Sequence, residues 1–498
     1  MQRPRHNTKI VRNDDSNIDP NLLTQKDFDV ETLPRPAGHT GVISPMTNYW
    51  ETSEGQCLDE EKRIMYDPRP NQSEIFKNDK GEVYPVSNTP FTIRLASARR
   101  TLHFAPDQTV VGIVTCGGLC PGLNDVVRAL TLSCIRHYNV KRVLGYRYGF
   151  WGLSAAGRDS AIDLSADVVR HIHTQGGTFL GTSRGPQKRK EMVETLIQHG
   201  VNILFTIGGD GTQRGAETIA TEARQRGLDI AVIGVPKTID NDLSFSHRTF
   251  GYETAVAQAV SALRAAHAEA SSHDFGVGIV KVMGRHSGFI AAEATISSAV
   301  VNICLIPEMP ISEGIVHELL FKRFEKSNSC VICVAEGFGQ NWFDTKQAGT
   351  DASGNKKLVD IGPYLSKKVS EWLRQDKRFK NHTVKYIDPS YMIRACPPSP
   401  ADAAFCVSLA SLAVHEAMAG TTNAIISSWY SNFVCVPIRL ATSLRREVSV
   451  KGRLWRSVRE LTVWLDEDTR KAKIRTIENE LDALRRRQDY LKMQRSKL

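Results

Sequence analysis

No stretch of the sequence holds 18 consecutive apolar residues, so a membrane-spanning helix is not expected. Met1 to Asp15 are polar and contain no apolar core, so a secretory signal is not expected either. The ten cysteines are scattered, and no two pairs stand at zinc-ligand spacing. The one C-x-x-C, Cys330 and Cys333, lies inside SCVICVAEG, an apolar run that reads as a buried strand. Buried thiols are expected there rather than a metal or redox pair, and a reduced intracellular compartment fits this usage. Neither G-x-G-x-x-G nor a Walker A ending in Lys-Ser/Thr occurs, which removes the generic dinucleotide and P-loop assignments. Basic and aromatic residues are not interleaved as in single-strand binders, and no nucleic-acid motif appears, so nucleic acid is not an expected partner.

What is present is a 498-residue chain with 41% apolar and 24% charged residues, a globular composition with room for two to four domains. The net charge is +10. Residues 1–100 contribute a net −1 and residues 471–498 a net +5, so half of the surplus sits in the tail. Residues 1–95 carry scattered prolines and no helical period, and read as an extended arm or small embellishing domain. From Thr109, short apolar runs alternate with helical stretches, which means βαβ units and a parallel sheet covered on both faces. The expected division is a nucleotide-binding α/β domain over 96–238, a second α/β domain over 239–440 that shares the chain with the first by crossing, and a helical extension over 441–498. In that extension Ile474, Ile477, Leu481, Leu484 and Leu491 occupy a/d positions with Gln488 at the remaining one, a seam expected to pack within an oligomer. The last three residues, Ser496-Lys497-Leu498, spell a peroxisomal address read by an import receptor.

Three glycine-rich loops follow three expected strands, where an open parallel sheet binds ligands. The first, Cys116-Gly117-Gly118-Leu119-Cys120-Pro121-Gly122, is alone as compatible with a tight turn as with a phosphate cradle. The second, Gly208-Gly209-Asp210-Gly211-Thr212, puts a carboxylate among glycines, an arrangement suited to Mg²⁺ on a nucleotide; the alternative is an N-cap aspartate. The third, Pro236-Lys237-Thr238-Ile239-Asp240-Asn241-Asp242, gathers two carboxylates, a cation and a hydroxyl. If it is extended, Asp240 and Asp242 point to one side, one as a proton acceptor and the other beside metal or base. A further cluster, Lys281 to Gly288, offers Arg285 to a phosphate or to developing charge; His286 reads as a surface or supporting residue.

GGDGT, PKTIDNDL, MGRHSG, Glu336 of VAEGFG and KYIDPSYMIR together resemble the 6-phosphofructokinase family over roughly residues 90–440. The layout, with an N-terminal embellishment and a C-terminal S-K-L, is similar to the glycosomal members of trypanosomatids. The resemblance implies two Rossmann-like open-sheet domains and transfer of the γ-phosphoryl of MgATP to the 1-hydroxyl of fructose 6-phosphate. It implies Asp240 as the base, with Thr238 and Asp242 beside it, and Asp210 on Mg²⁺. It places Gly118, Arg184, Gly185, Gly209, Gly211 and Thr212 at ATP. It places Ile239, Met283, Gly284, Arg285, Glu336, Lys385, Tyr391 and Arg394 at the sugar phosphate. It further implies a homotetramer, because in this family the 6-phosphate site lies partly across a subunit interface. Members of this subgroup respond to AMP; Arg128 is the one effector candidate the sequence offers.

Two positions bear on the phosphoryl donor. The pyrophosphate branch resembles GGDD with PKT, whereas the ordinary ATP branch has GGDG with glycine in place of the lysine. Here Gly211 matches the ATP type and Lys237 the pyrophosphate type. A carboxylate at 211 would stand where the α-phosphate must sit, while a lysine suits either donor, so charge favours ATP with pyrophosphate as the alternative. Gly276 stands where many bacterial-type members carry an arginine for the 6-phosphate. Lipid and NAD kinases share GGDGT but lack PKTIDND and MGR.

Overall fold

The computed structural model describes residues 24–35, 41–49, 62–65, 91–343, 349 and 357–464, with four short strand segments at 8–12, 57–58, 76–77 and 83–84. The heptad seam at 474–491 and Ser496-Lys497-Leu498 lie outside the described residues.

The strands that build the site are, in chain order, β1 (Thr8–Arg12), β2 (Arg63–Met65), β3 (Thr92–Leu95), β4 (Val110–Thr115), β5 (Arg142–Tyr146), β6 (Ile162–Asp163), β7 (Ile203–Gly208), β8 (Ala231–Pro236), β9 (Gly276–Val282), β10 (Ile303–Leu305), β11 (Ser329–Ala335), β12 (Thr383–Ile387), β13 (Ala424–Trp429), β14 (Asn432–Pro437) and β15 (Leu444–Val448). The helices are α1 (Leu123–Tyr138), α2 (Arg189–Gln198), α3 (Asp210–Gln225), α4 (Tyr252–Ser271), α5 (Phe289–Ser298), α6 (Ser390–Ala395) and α7 (Pro400–Met418).

Two open sheets result. The first runs β6-β5-β4-β7-β8-β13-β14-β3-β2 and the second β10-β11-β9-β12. In the first, β5, β4, β7, β8 and β13 are mutually parallel, and the second is parallel throughout. Parallel strands covered on both faces need apolar side chains at every position, and β4, β7, β8, β9 and β11 are buried along their whole length. Alternation then sorts the side chains. Val111, Ile113, Phe205 and Ile233 pack with α1 and α7, whereas Val110, Val114, Leu204 and Val232 pack with α2 and α3. The same rule separates Cys330 from Cys333: three residues apart on one strand, they enter different cores. Both are fully buried, and burial pushes the Cys330 thiol up to about 12.

The chain leaves the first sheet after β8 and returns with α7, β13 and β14, so the 239–440 stretch serves both sheets. Helix α7 is long and apolar enough to cross a membrane by length and composition, but it packs against α1 as a core helix. It carries two fully buried carboxylates, each satisfied. Asp402 accepts from the Thr254 backbone N–H (2.8 Å) and hydroxyl (2.6 Å). Glu416 accepts from Arg94 (3.0 Å), Arg99 (2.7 Å) and the Thr421 hydroxyl (2.7 Å). Arg94 and Arg99 belong to the end of the N-terminal segment, which also adds β2 and β3 to the first sheet's edge.

Candidate active site

Each sheet has a point where the strand order reverses, and the loops there open a crevice at the strands' carboxyl ends. In the first sheet this point lies between β4 and β7, which deliver Gly117-Gly118 and Gly209-Asp210; β8 beside them delivers the 237–242 segment. In the second sheet β9 and β11 deliver Met283-Gly284-Arg285 and Glu336. The loops after β4, β8, β9 and β11 meet at a cleft of about 240 Å³. Gly118, Lys237, Thr238, Ile239, Asp240, Met283, Glu336 and Arg394 line it, with Leu119 and Cys120.

The 237–242 segment is not extended. It turns at Ile239–Asp240, and Asn241 adopts φ 55°, so backbone alternation does not align the two carboxylates. Side chains hold the turn instead. The Thr238 hydroxyl donates to Asp242 Oδ1 at 2.6 Å and accepts from the Asp240 N–H at 3.3 Å. Asn241 Oδ1 accepts the Thr249 N–H at 3.0 Å, and the Thr249 hydroxyl donates to the Thr238 carbonyl at 2.7 Å. Asparagine tolerates this left-handed geometry better than most residues.

Asp240 points into the cleft and accepts from the Arg285 N–H at 3.4 Å. Burial, followed by the nearby charges of Asp242 and Glu336, raises its carboxyl well above the usual range, against the Arg285 N–H and the Arg394 guanidinium. Burial also raises Glu336, opposed by Arg394, Lys281 and Arg285. It lowers the Lys237 ammonium, which Cys120, Cys116 and Asp240 support. A carboxyl displaced this way inside a cleft is the signature of a group able to take a proton near neutral pH.

The glycines have distinct reasons. Gly284 has φ 130°, and a Cβ there would come within 2.3 Å of the Ser287 carbonyl, so the turn that aims Arg285 at Asp240 requires glycine. Gly117 is favoured by its left-handed φ of 84°, and Lys237 Nζ lies at ordinary contact distance, 3.7 Å, from where a Cβ would stand. Arg184 is exposed, and its Nη2 reaches 3.7 Å from the corresponding point on Gly118, while Gly185 beside it has φ 101°. At Gly211 no atom lies within 4 Å of the position a Cβ would occupy, so that face is open.

Asp210 is the first residue of α3 and Gly209 takes the N-cap position, so Asp210 does not cap the helix. Its carboxylate lies 3.7 Å from Arg445 Nη2. Thr212 is buried two residues on. On the second sheet's side, Arg394 of α6 reaches Met283 Sδ at 3.4 Å and lies over the Tyr391 ring at 5.5 Å. Tyr391 is 80% exposed. Lys385 is not brought to the cleft: it pairs with Glu269 of α4 at 3.5 Å, beside Gly278 rather than at the strand end. Arg128 donates to the Arg170 carbonyl at 3.3 Å, away from these loops.

Arg445 was not legible in the sequence. It sits in LRREV, whose alternating burial reads as an ordinary edge strand. Lys281 has a clear structural task, bridging Asp360 (2.9 Å) and Asp388 (2.8 Å) beneath the β9 loop.

A family model described as Phosphofructokinase matches residues 110–417. The chain is 56% identical over 479 residues to the ATP-dependent 6-phosphofructokinase of Trypanosoma brucei brucei, covering 96% of each. It is 54% identical over 505 residues to the protein of the same name from Trypanosoma cruzi, covering 100% of this chain and 99% of that one. It is 48% identical over 378 residues to that of Amycolatopsis methanolica, covering 74% and 81%. Among solved structures it resembles a pyrophosphate-dependent phosphofructokinase from Marinobacter aquaeolei, with TM-score 0.60 and 21% identity over 72% of this chain and 92% of that one. It also resembles Pichia pastoris phosphofructokinase, with TM-score 0.56 and 24% identity over 73% and 38%. At these identities the structural likeness concerns the fold alone.

Proposed function

The chain belongs to the phosphofructokinase family, and we propose that its cleft transfers the γ-phosphoryl of MgATP to the 1-hydroxyl of fructose 6-phosphate, giving fructose 1,6-bisphosphate and ADP. The observation that carries the reading is the half-buried Asp240, which accepts from the Arg285 N–H and shares one cleft with Glu336 and Arg394, with the glycine-rich donor loops beside it. The donor is ATP rather than pyrophosphate; the names of the relatives and the open face at Gly211 both support this.

The roles follow from position. Asp240 accepts the proton of the 1-hydroxyl as that oxygen bonds to the γ-phosphorus and the bond to the ADP oxygen breaks. Thr238 and Asp242 hold the turn that aims it. Lys237 and Arg285 offer positive charge to the moving group. Gly118, Arg184, Gly185, Gly209, Gly211 and Thr212 face the nucleotide. Ile239, Met283, Gly284, Glu336 and Arg394 face the sugar phosphate, with Tyr391 at its rim. Residues 96–238 would thus serve mainly ATP, and the second sheet the sugar.

Asp210 would hold Mg²⁺. No group of three or more His, Cys, Asp or Glu able to cage a metal stands among the described residues. A partly exposed carboxylate at the donor loop, with Asp242 nearby, suits an ion that takes one or two carboxylates and completes its shell with phosphates and water. Bound there, Mg²⁺ would neutralise charge on the β- and γ-phosphates.

A homotetramer is part of this reading, supported by the exposed Tyr391 and by the position of Lys385 outside the cleft. A glycosomal location rests on Ser496-Lys497-Leu498; a fluorescent reporter ending in these residues is expected in glycosomes, and a cytosolic reporter would contradict it.

A coupled assay with each donor tests the reaction: turnover with ATP and none with pyrophosphate is expected, and preference for pyrophosphate would reverse the assignment. The pH profile tests the base. Asp240 must be ionised to accept a proton and its carboxyl is raised to about 8, so kcat/KM for fructose 6-phosphate is expected to fall as pH drops through about 8. A profile flat from pH 8 down to the ordinary carboxylate range would remove Asp240 from that role.

A further inference from the structure

Strand β15 lies beyond the matched region 110–417, yet it reaches the 237–242 segment and Asp210 and is tied through Glu308 to the loop after β9. Its backbone grips the 237–242 segment: Arg445 forms an antiparallel bridge with Leu243, and the Arg446 N–H donates to the Asp242 carbonyl at 2.8 Å. The Val448 N–H donates to Glu308 Oε1 at 2.7 Å, and the same oxygen accepts from the Gly288 N–H at 2.9 Å, tying β15 to the loop after β9. The whole length of β15 also pairs with β1, antiparallel, with Val11 opposite Arg445.

From this seam Arg445 enters the site, its side chain 18% exposed. One guanidinium nitrogen lies 3.7 Å from Asp210 Oδ2 and another 3.6 Å from Asp242 Oδ2. These separations are too long for tight hydrogen bonds and short enough for strong attraction at a partly buried site. One cation therefore spans a carboxylate of the donor side and a carboxylate of the acceptor side. Asp242 in turn accepts the Thr238 hydroxyl that orders the turn bearing Asp240.

We propose that Arg445 is a positioning residue for phosphoryl transfer, a resident counter-cation that spaces Asp210 from Asp242 before the metal-nucleotide arrives, and that the N-terminal strand β1 holds it there. This rests on the roles given above to Asp210 and Asp242. It assigns the N-terminal arm a part in assembling the site. It also means that a metal ion reaching Asp210 must displace a guanidinium, so the free protein should bind divalent cations weakly.

The test uses the full chain, Arg445→Gln, Arg445→Lys and a chain lacking residues 1–12, with Val11→Pro as a second way to disrupt the β1 pairing. The probe is Mn²⁺ alone, followed by electron paramagnetic resonance of the free ion. Arg445→Gln is expected to bind Mn²⁺ at least about threefold more tightly than the unaltered chain, Arg445→Lys to stay close to it, and both β1 variants to behave like Arg445→Gln. In turnover, Arg445→Gln is expected to lower kcat about tenfold with KM for fructose 6-phosphate nearly unchanged, and Arg445→Lys to restore most of it. The truncation is expected to add nothing to Arg445→Gln. Equal Mn²⁺ affinity with and without Arg445, or a truncation effect that adds fully to Arg445→Gln, would overturn the proposal. The Mn²⁺ titration needs no turnover, so an unaltered chain inactive on fructose 6-phosphate would refute the proposed reaction while the titration still decides the role of Arg445.

Discussion

Replacing Asp240 by asparagine is expected to lower kcat by roughly 10²-fold or more, with KM for fructose 6-phosphate changed little. The substitution keeps the shape and the acceptor oxygen that meets the Arg285 N–H, and removes the capacity to take a proton. It also removes one of three mutually repelling carboxylates, Asp240, Asp242 and Glu336, so an unfolded site would not explain the loss. The acid limb of the pH profile should disappear with the residual activity. Near-normal turnover by the asparagine variant would exclude Asp240 as the base.

Introducing aspartate at Gly211 is expected to cut kcat/KM for MgATP by about 10²-fold or more, without a matching loss of stability. Open space surrounds the Cβ position, and an acidic residue in the first turn of α3 suits the helix dipole, so the fold should accept it. The nucleotide should not. A carboxylate a few Å from an α-phosphate in a partly desolvated cleft costs several kcal/mol, and about 1.4 kcal/mol corresponds to each tenfold change. Pyrophosphate has no α-phosphate to repel, so steady-state kinetics with both donors separates the two explanations. An unchanged kcat and KM for MgATP would show that position 211 does not face the nucleotide.

The sheet strands and most of the cleft were legible because their signals are local. Runs such as VVGIVT and SCVICVA admit few readings once glycine loops bound them, and the loops follow the strand ends. The geometry of 237–242 was not legible, because a left-handed Asn241 and two threonine hydroxyls decide it rather than strand alternation. Helix α3 begins at Asp210, earlier than the apolar period suggests, since the donor loop itself supplies its first turn. Lys385 followed its motif into the sugar-binding set, but its side chain turns to Glu269. Arg445 carried no local signal: its neighbours in the site are more than 200 residues away along the chain, and only strand pairing brings them together.

Glu416 has a bearing on how the chain can be divided. Prolines and composition suggest an arm ending near residue 95, yet the two arginines that neutralise this carboxylate, Arg94 and Arg99, stand on either side of that line. A chain cut there loses β3 and Arg94 but keeps Arg99, so the Glu416 carboxylate inside α7 is left with one of its two guanidinium partners, and removing one partner of a buried polar group costs about 1–3 kcal/mol. The arm is therefore not an accessory that could be gained or shed at a linker. Any shortened chain would have to begin before Arg94 to keep both guanidinium partners of Glu416.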